Sequence, residues 1–154
     1  MVKIVNGNLL DATEDIICHQ VNCQGVMGSG VAKAIKEKWP EVFISYYQCC
    51  HRYKEAGESP MGTIWGVRTS DTNQWVINMF AQNLYGYDGN RYTSYDAFYK
   101  CLESIACGIK STDSIAFPYK IGSDRGGASW DVIYAMICDV LGDRDVTIYK
   151  LEED

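Results

Sequence analysis

Hydrophobic and polar positions along this chain fall into two periods. Short apolar, often β-branched runs occupy residues 2–6, 16–21, 62–68, 75–80, 115–117 and 145–151, each bounded by polar or turn-forming residues. Runs of that length and composition predict strands. Longer stretches repeat at helical spacing. Residues 31–39 place Val31, Ala34, Ile35 and Trp39 on one side and lysines on the other, the pattern of an amphipathic helix. Pro40 suits the first turn of a second helix reaching residue 53. Thr93 or Ser94 caps a helix that Gly108 closes, and Ser129 caps another over 130–141 that Gly142 ends. A polar loop at 54–60, a Ser-Asp-Thr-Asn turn at 70–73 and a Tyr/Gly/Asn-rich loop at 84–92 separate these elements. Strands alternating with helices predict an α/β domain whose sheet is covered on both faces.

Two glycine-rich loops each follow a predicted strand. The first is Gly25-Val26-Met27-Gly28-Ser29-Gly30, which opens a helix; the second is Gly122-Ser123-Asp124-Arg125-Gly126-Gly127. Glycine permits positive φ and close approach of ligand atoms to main-chain N–H groups. A loop running into a helix N-terminus is a ready anion site, and ligands of α/β sheets sit beyond the carboxyl ends of the strands. The pair therefore predicts a phosphate-bearing ligand gripped from both sides. Neither loop spells a nucleotide-hydrolysing P-loop or a dinucleotide fingerprint. Cys138 to Arg144 has the spacing of a cysteine phosphatase loop, but Asp139 and Asp143 inside it would repel phosphate.

Composition narrows the partners. At 154 residues the chain has the length of one domain with a sizeable core. A formal net charge of −6 argues against broad electrostatic binding of nucleic acid or anionic membrane. The phosphate site must then depend on local N–H groups. The N-terminus reads straight into a strand, and no apolar run approaches the ~18 residues of a membrane span. The seven cysteines form no CxxC pair and no zinc-like spacing with the two histidines, so a reduced, cytoplasmic protein is expected. Cys49-Cys50-His51 resembles a ligand run, but adjacent helical residues point in different directions.

Taken in order, Gly7-Asn8-Leu9, Val21-Asn22-Cys23-Gln24-Gly25, Gly28-Ser29-Gly30-Val31-Ala32, Ile77 to Phe80, Pro118 to Gly127 and Thr147 to Leu151 resemble the macrodomain family of ADP-ribose-binding modules over nearly the whole chain. Within it the chain looks most similar to the branch of ADP-ribose-1''-phosphate phosphatases and DNA- and protein-ADP-ribose hydrolases. The resemblance implies a single macrodomain over residues 1–154, with a mixed central sheet in a three-layer α/β/α arrangement. It also implies a position-by-position site. Asn8 stands where the family usually has an aspartate contacting the adenine amino group, and its carbonyl still accepts that bond. Leu9 would offer its N–H to adenine, Leu151 would pack on the adenine face, and Asn22 would bond the distal ribose. Main-chain N–H groups of Gly28, Ser29, Gly30 and Val31 would hold one phosphate. Those of Gly122, Ser123, Asp124, Arg125 and Gly126 would wrap the diphosphate.

The resemblance also implies a chemistry. Asp124 lies where hydrolytic relatives place a catalytic aspartate, and some phosphatase-type relatives have a histidine at His19. With an unperturbed pKa near 6.5, such a histidine serves as acid or base. His19 and Asn22 are three residues apart, so a regular strand would point them to opposite faces unless it bends near Gln20. Relatives that work through a covalent lysine carry it where this chain has Gln82, and an amide forms no Schiff base. The expected activity is hydrolysis of ADP-ribose derivatives, first of all ADP-ribose 1''-phosphate, by Asp124 and His19 with no metal or cofactor. Removal of ADP-ribose from protein or nucleic acid, and binding of ADP-ribose without turnover, are the alternatives. Nucleic acid then enters only as an ADP-ribosylated substrate. Tyr85, Tyr87 and Tyr92 either flank that substrate or pack their own loop.

Overall fold

The central strands read as near-continuous apolar runs because both of their faces are covered. In the computed structural model, which describes residues 1–86 and 88–152, β2 (Ile16–Val21), β4 (Trp75–Phe80) and β5 (Ser114–Pro118) are buried along almost their whole length. The outer strands β1 (Val2–Asn6) and β3 (Ile64–Arg68) are only partly covered. With β6 (Asp145–Lys150) they form one sheet in the order β1-β6-β5-β2-β4-β3. Every neighbouring pair is parallel except β3–β4. That exception makes the sheet mixed: a short turn at 69–74 joins β3 to β4, and only an antiparallel pair can be joined so briefly.

The helices α1 (Gly30–Lys38), α2 (Pro40–Glu55), α3 (Tyr95–Gly108) and α4 (Trp130–Leu141) supply the two outer layers. Cys18, Met79, Phe117 and Ile148 face α3 and α4, packing with Phe98, Leu102, Ile133 and Ile137. Ile17, Val21, Phe80 and Ala116 face α1 and α2, packing with Ile35, Trp39, Val42 and Tyr46. Each fully buried side chain of this size contributes about 1.5–3 kcal/mol. Helices of this length are marginal alone, so these two layers hold them in place.

Two helix ends differ from the sequence expectation. Gly108 is the last residue of α3 rather than the residue beyond it, and Ile109 closes the helix in extended conformation. Gly142 closes α4 with a right-handed φ of −63°, so no left-handed cap is built there. A short 3-10 turn at Leu9–Asp11 was not expected; Asn8 caps it by accepting the Leu10 N–H at 3.0 Å. Tyr87 lies outside the described residues. The parallel arrangement brings the carboxyl ends of β1, β2, β4, β5 and β6 to one edge of the sheet. Both glycine loops, the 3-10 turn and the 82–93 segment open there.

Candidate functional site

A cleft of about 590 Å³ runs along that edge, a volume typical of small-molecule sites. One end is formed by Asn8, Leu9, Tyr149 and Leu151, the middle by the two glycine loops, and the far end by Gln82, Tyr85 and Gly86. Of the residues expected at a binding site, Asn8, Leu9, His19, Asn22, Gly28, Ser29, Gly30, Val31, Gly122, Asp124, Arg125, Gly126 and Leu151 all line it. Ser123 does not: its N–H donates to Lys120 O at 2.8 Å and its hydroxyl turns to Ile121 O.

The first loop ends at a helix start that lacks a side-chain cap. Ser29 occupies the N-cap of α1 but accepts no hydrogen bond there, so the first-turn N–H groups remain available to an anion. Asn22 fixes the base of this loop. Its amide nitrogen donates to Val26 O at 2.8 Å, while its oxygen accepts from Gln24 N at 2.9 Å and Tyr46 Oη at 2.8 Å. The Tyr46 hydroxyl in turn accepts the Val26 N–H at 3.1 Å. Three of the four hydrogen-bonding positions of the Asn22 amide are thus spent on Gln24, Val26 and Tyr46, leaving one N–H for a ligand.

The second loop is tight. Gly122 and Gly127 have φ of 73° and 71°, and Lys120 takes φ 61°. A Cβ on Gly126 would stand 2.5 Å from Gly122 O and closer still to Thr93 Oγ1. Among the described residues the N–H groups of Gly122, Asp124 and Gly126 donate to no protein acceptor. Asp124 is exposed at the cleft wall.

At the end formed by Asn8, Leu9, Tyr149 and Leu151, Leu9 is buried and its N–H has no protein acceptor. The Asn8 oxygen already accepts from Leu10 N, and keeps a second lone pair.

His19 lies deeper than an exposed acid or base would. Strand β2 runs regularly through Val21, paired with β4 from Ile16↔Trp75 to Val21↔Phe80, so no bend occurs at Gln20. The imidazole touches the cleft wall but is only 1% exposed. Its Nε2 lies 2.6 Å from Asn78 Oδ1, and the Asn78 amide nitrogen donates to Trp65 O at 2.9 Å. That fixes Asn78 Oδ1 as the acceptor and Nε2 as the protonated nitrogen, which leaves Nδ1 a buried acceptor with no protein partner. Burial pushes the His19 pKa down to about 4, against a smaller upward effect of the Asn78 hydrogen bond. The ring is neutral near pH 7, a correction to the expectation of an ordinary imidazole.

Several residues of the site carried no motif. Tyr46 sits mid-helix and reads as core. Gln20 and Thr93 join Gln82 behind the second loop; Thr93 was legible only as a cap, which Ser94 provides through Ala97 N at 3.1 Å. The Cys49-Cys50-His51 run builds no ligand set: His51 pairs with Glu55 at 2.9 Å, and no metal-holding group of His, Cys, Asp and Glu occurs among the described residues. All seven cysteines are free thiols. Burial and the neighbouring Cys50 and Cys49 push Cys23 up to about 12, so it stays protonated. No helix among the described residues is long and apolar enough to cross a membrane.

Comparison with known proteins accords with this geometry. The profile of the Macro domain matches residues 18–137. A DNA ADP-ribosyl glycohydrolase of Mycobacterium tuberculosis is 29% identical over 154 residues, covering 97% of this chain and 42% of that protein. An ADP-ribose 1''-phosphate phosphatase of Aspergillus oryzae is 38% identical over 58 residues, covering 37% of this chain and 29% of that protein. The chain thus spans about two fifths of the length of the glycohydrolase it matches. The solved macrodomain of Mycobacterium tuberculosis DarG superposes with a TM-score of 0.82 at 26% identity, covering 97% of each chain.

Proposed function

This chain belongs to the Macro domain family, and we propose that it hydrolyses ADP-ribose derivatives, with ADP-ribose 1''-phosphate as its first substrate. The observation that carries the reading is the single cleft in which both glycine loops, the free Leu9 N–H and Asp124 meet. Adenine would lie between Asn8, Leu9 and Leu151. The uncapped α1 N-terminus and the N–H groups of Gly122, Asp124 and Gly126 would hold the phosphates, a binding mode that an acidic protein can use without a basic surface. The distal ribose would then reach Asn22 and the wall made by Gln82, Tyr85 and Gly86.

Asp124 supplies the proton acceptor. As a water oxygen bonds to phosphorus, its proton passes to the Asp124 carboxylate. The bond from phosphorus to the ribosyl oxygen breaks, and that oxygen leaves with a proton returned from the same carboxyl. Loop N–H groups stabilise the charge that develops on the phosphoryl oxygens. The neutral His19 serves as a hydrogen-bonding group through Nδ1 rather than as the titrating partner first expected, because its proton affinity is too low. Gln82 stands at the cleft end with its amide committed to protein partners, which supports a route with no covalent lysine adduct.

A second reading is favoured by one observation. The glycohydrolase match runs over nearly the whole chain, whereas the phosphatase matches cover from about a third to about half of it. In that reading the leaving group is a nucleobase or a protein side chain. Incubation with ADP-ribose 1''-phosphate, ADP-ribosylated protein and ADP-ribosylated DNA separates the two. Phosphate release from the first supports the proposal; release of ADP-ribose from DNA or protein alone replaces it with the second. Tight ADP-ribose binding with release from none of the three makes the protein a reader.

A further inference from the structure

Behind the second loop, hydrogen bonds run outward in two directions from one side chain. Gln20 is the penultimate residue of β2, and its side chain lines the cleft. Its amide nitrogen donates to Gln82 Oε1 at 2.7 Å and to Thr93 Oγ1 at 2.8 Å. An amide nitrogen carries two protons, so both are spent. Having accepted from Gln20, the Thr93 hydroxyl donates its single proton to Gly122 O at 2.8 Å. Gln82 passes the polarity the other way, donating through Nε2 to Leu84 O at 2.8 Å. One side chain therefore ties the far wall of the cleft, 84–86, to the second glycine loop, 122–127.

The backbone reinforces this link. Tyr92 and Thr93 both donate their N–H to Gly126 O, at 2.8 and 3.0 Å. A Cβ on Gly122 would stand 2.9 Å from Gln20 Oε1, so the amide is packed directly against the loop. The cost is visible: Gln20 Oε1 is buried with no hydrogen-bond partner. Buried acceptors rarely go unpaired. Turning the amide over would set Gln20 Oε1 against Gln82 Oε1 and would draw the single Thr93 proton away from Gly122 O.

We propose that Gln20, acting through Thr93 and Gln82, is a positioning residue that sets the second loop, and Asp124 within it, against the wall that receives the leaving group. It touches neither the phosphates nor the reacting atoms in this account. The inference rests on the reading above for its consequence in turnover, while the hydrogen-bond chain itself does not.

The test uses Thr93→Val, which keeps shape and the backbone bonds but removes the hydroxyl, its rescue Thr93→Ser, and Gln20→Met. Turnover of ADP-ribose 1''-phosphate, ADP-ribose affinity, thermal midpoint and amide hydrogen exchange are measured on each. Misplacing a reacting group by an ångström costs up to about 10²-fold in rate. Thr93→Val and Gln20→Met are expected to lower kcat by about 10- to 100-fold with KM changed less than about threefold, and Thr93→Ser to recover most of kcat. Hydrogen exchange should quicken at 84–86 and at 122–127 together in Gln20→Met. A fall in thermal midpoint with kcat intact would make the chain a plain brace and overturn the proposal. If wild type turns over none of the three substrates, the functional reading fails by itself, and exchange decides. Coupled loosening of both walls supports the chain, and unchanged exchange in both variants overturns it.

Discussion

The two glycine loops look alike in sequence and differ in what their glycines are for. In the first, a Cβ on Gly28 would meet nothing nearer than Val26 Cγ1 at 3.5 Å, and one on Gly30 would meet nothing within 4 Å. That loop is fastened at its base by the side chains of Asn22 and Tyr46 and by Gly25, which takes φ 76° with Tyr47 packed against it, while Gly28 and Gly30 keep the cleft side open. In the second loop the glycines are surrounded by protein, with Thr93, Gln20 and the loop's own backbone where a side chain would go. A glycine motif therefore signals a close approach without telling what approaches. The first loop keeps room for a ligand, and the second has already given its room to the fold.

Substitutions in the two loops test that contrast, and acid and reductant test what lies around it, beginning with the largest effect. Gly126→Val should destabilise by about 3 kcal/mol or more, because overpacking against backbone cannot relax cheaply. Gly28→Val should leave the urea midpoint nearly unchanged, within about 0.5 kcal/mol, and weaken ADP-ribose at least about tenfold by calorimetry. Equal stability losses in the two variants would erase the distinction between the loops.

Acid comes next. His19 has an ordinary pKa of 6.5 when unfolded and one of about 4 when folded, so the unfolded chain binds the extra proton first. Stability from the neutral ring is present in full above pH 6.5 and drains away as pH falls toward 4. The loss is up to about 3 kcal/mol, from 1.36 kcal/mol per pKa unit. Denaturation of wild type and His19→Asn across that range should show a slope that the variant flattens. A wild-type curve with no slope there would mean the ring titrates alike in both states.

Tyr46→Phe should cost about 1–2 kcal/mol by stranding the Val26 N–H and taking from the Asn22 side-chain oxygen one of its two donors, the other being Gln24 N. It should also loosen the first loop alone, seen as faster amide exchange at 24–30 with 122–127 unchanged. The smallest expected effect is that of reductant. With seven free thiols, thermal midpoints with and without dithiothreitol should coincide, whereas a native disulfide would be worth about 2–5 kcal/mol.

Much of this architecture was legible in the chain. Strand β4, Trp75–Phe80, and strand β2, Ile16–Val21, could be read to their ends, because burial on both faces makes an uninterrupted apolar run with polar borders. The 3-10 turn after Asn8 was missed although its Asx cap is local. The glycine loops could be read from their own pattern because their signals are short and follow strands, whereas Asn8, Leu9, Asn22 and Asp124 could be placed only through the resemblance to the family. What holds the second loop could not. Gln20 meets Gln82 across 62 residues and Thr93 across 73, and no local pattern marks a glutamine whose partners are that distant. The His19 environment was hidden for the same reason, since Asn78 comes from a neighbouring strand 59 residues away.

The proposed role of Asp124 as proton acceptor in the cleft is reached most directly by one paired measurement. Phosphate release from ADP-ribose 1''-phosphate is followed in wild type and Asp124→Ala, with ADP-ribose affinity of both determined on the same samples. The prediction is release by wild type, a rate about 10²–10⁴-fold lower in the variant, and affinities within about tenfold, or ~1.4 kcal/mol. Release at the same rate by both proteins, or a variant that has simply lost its ligand, would contradict it.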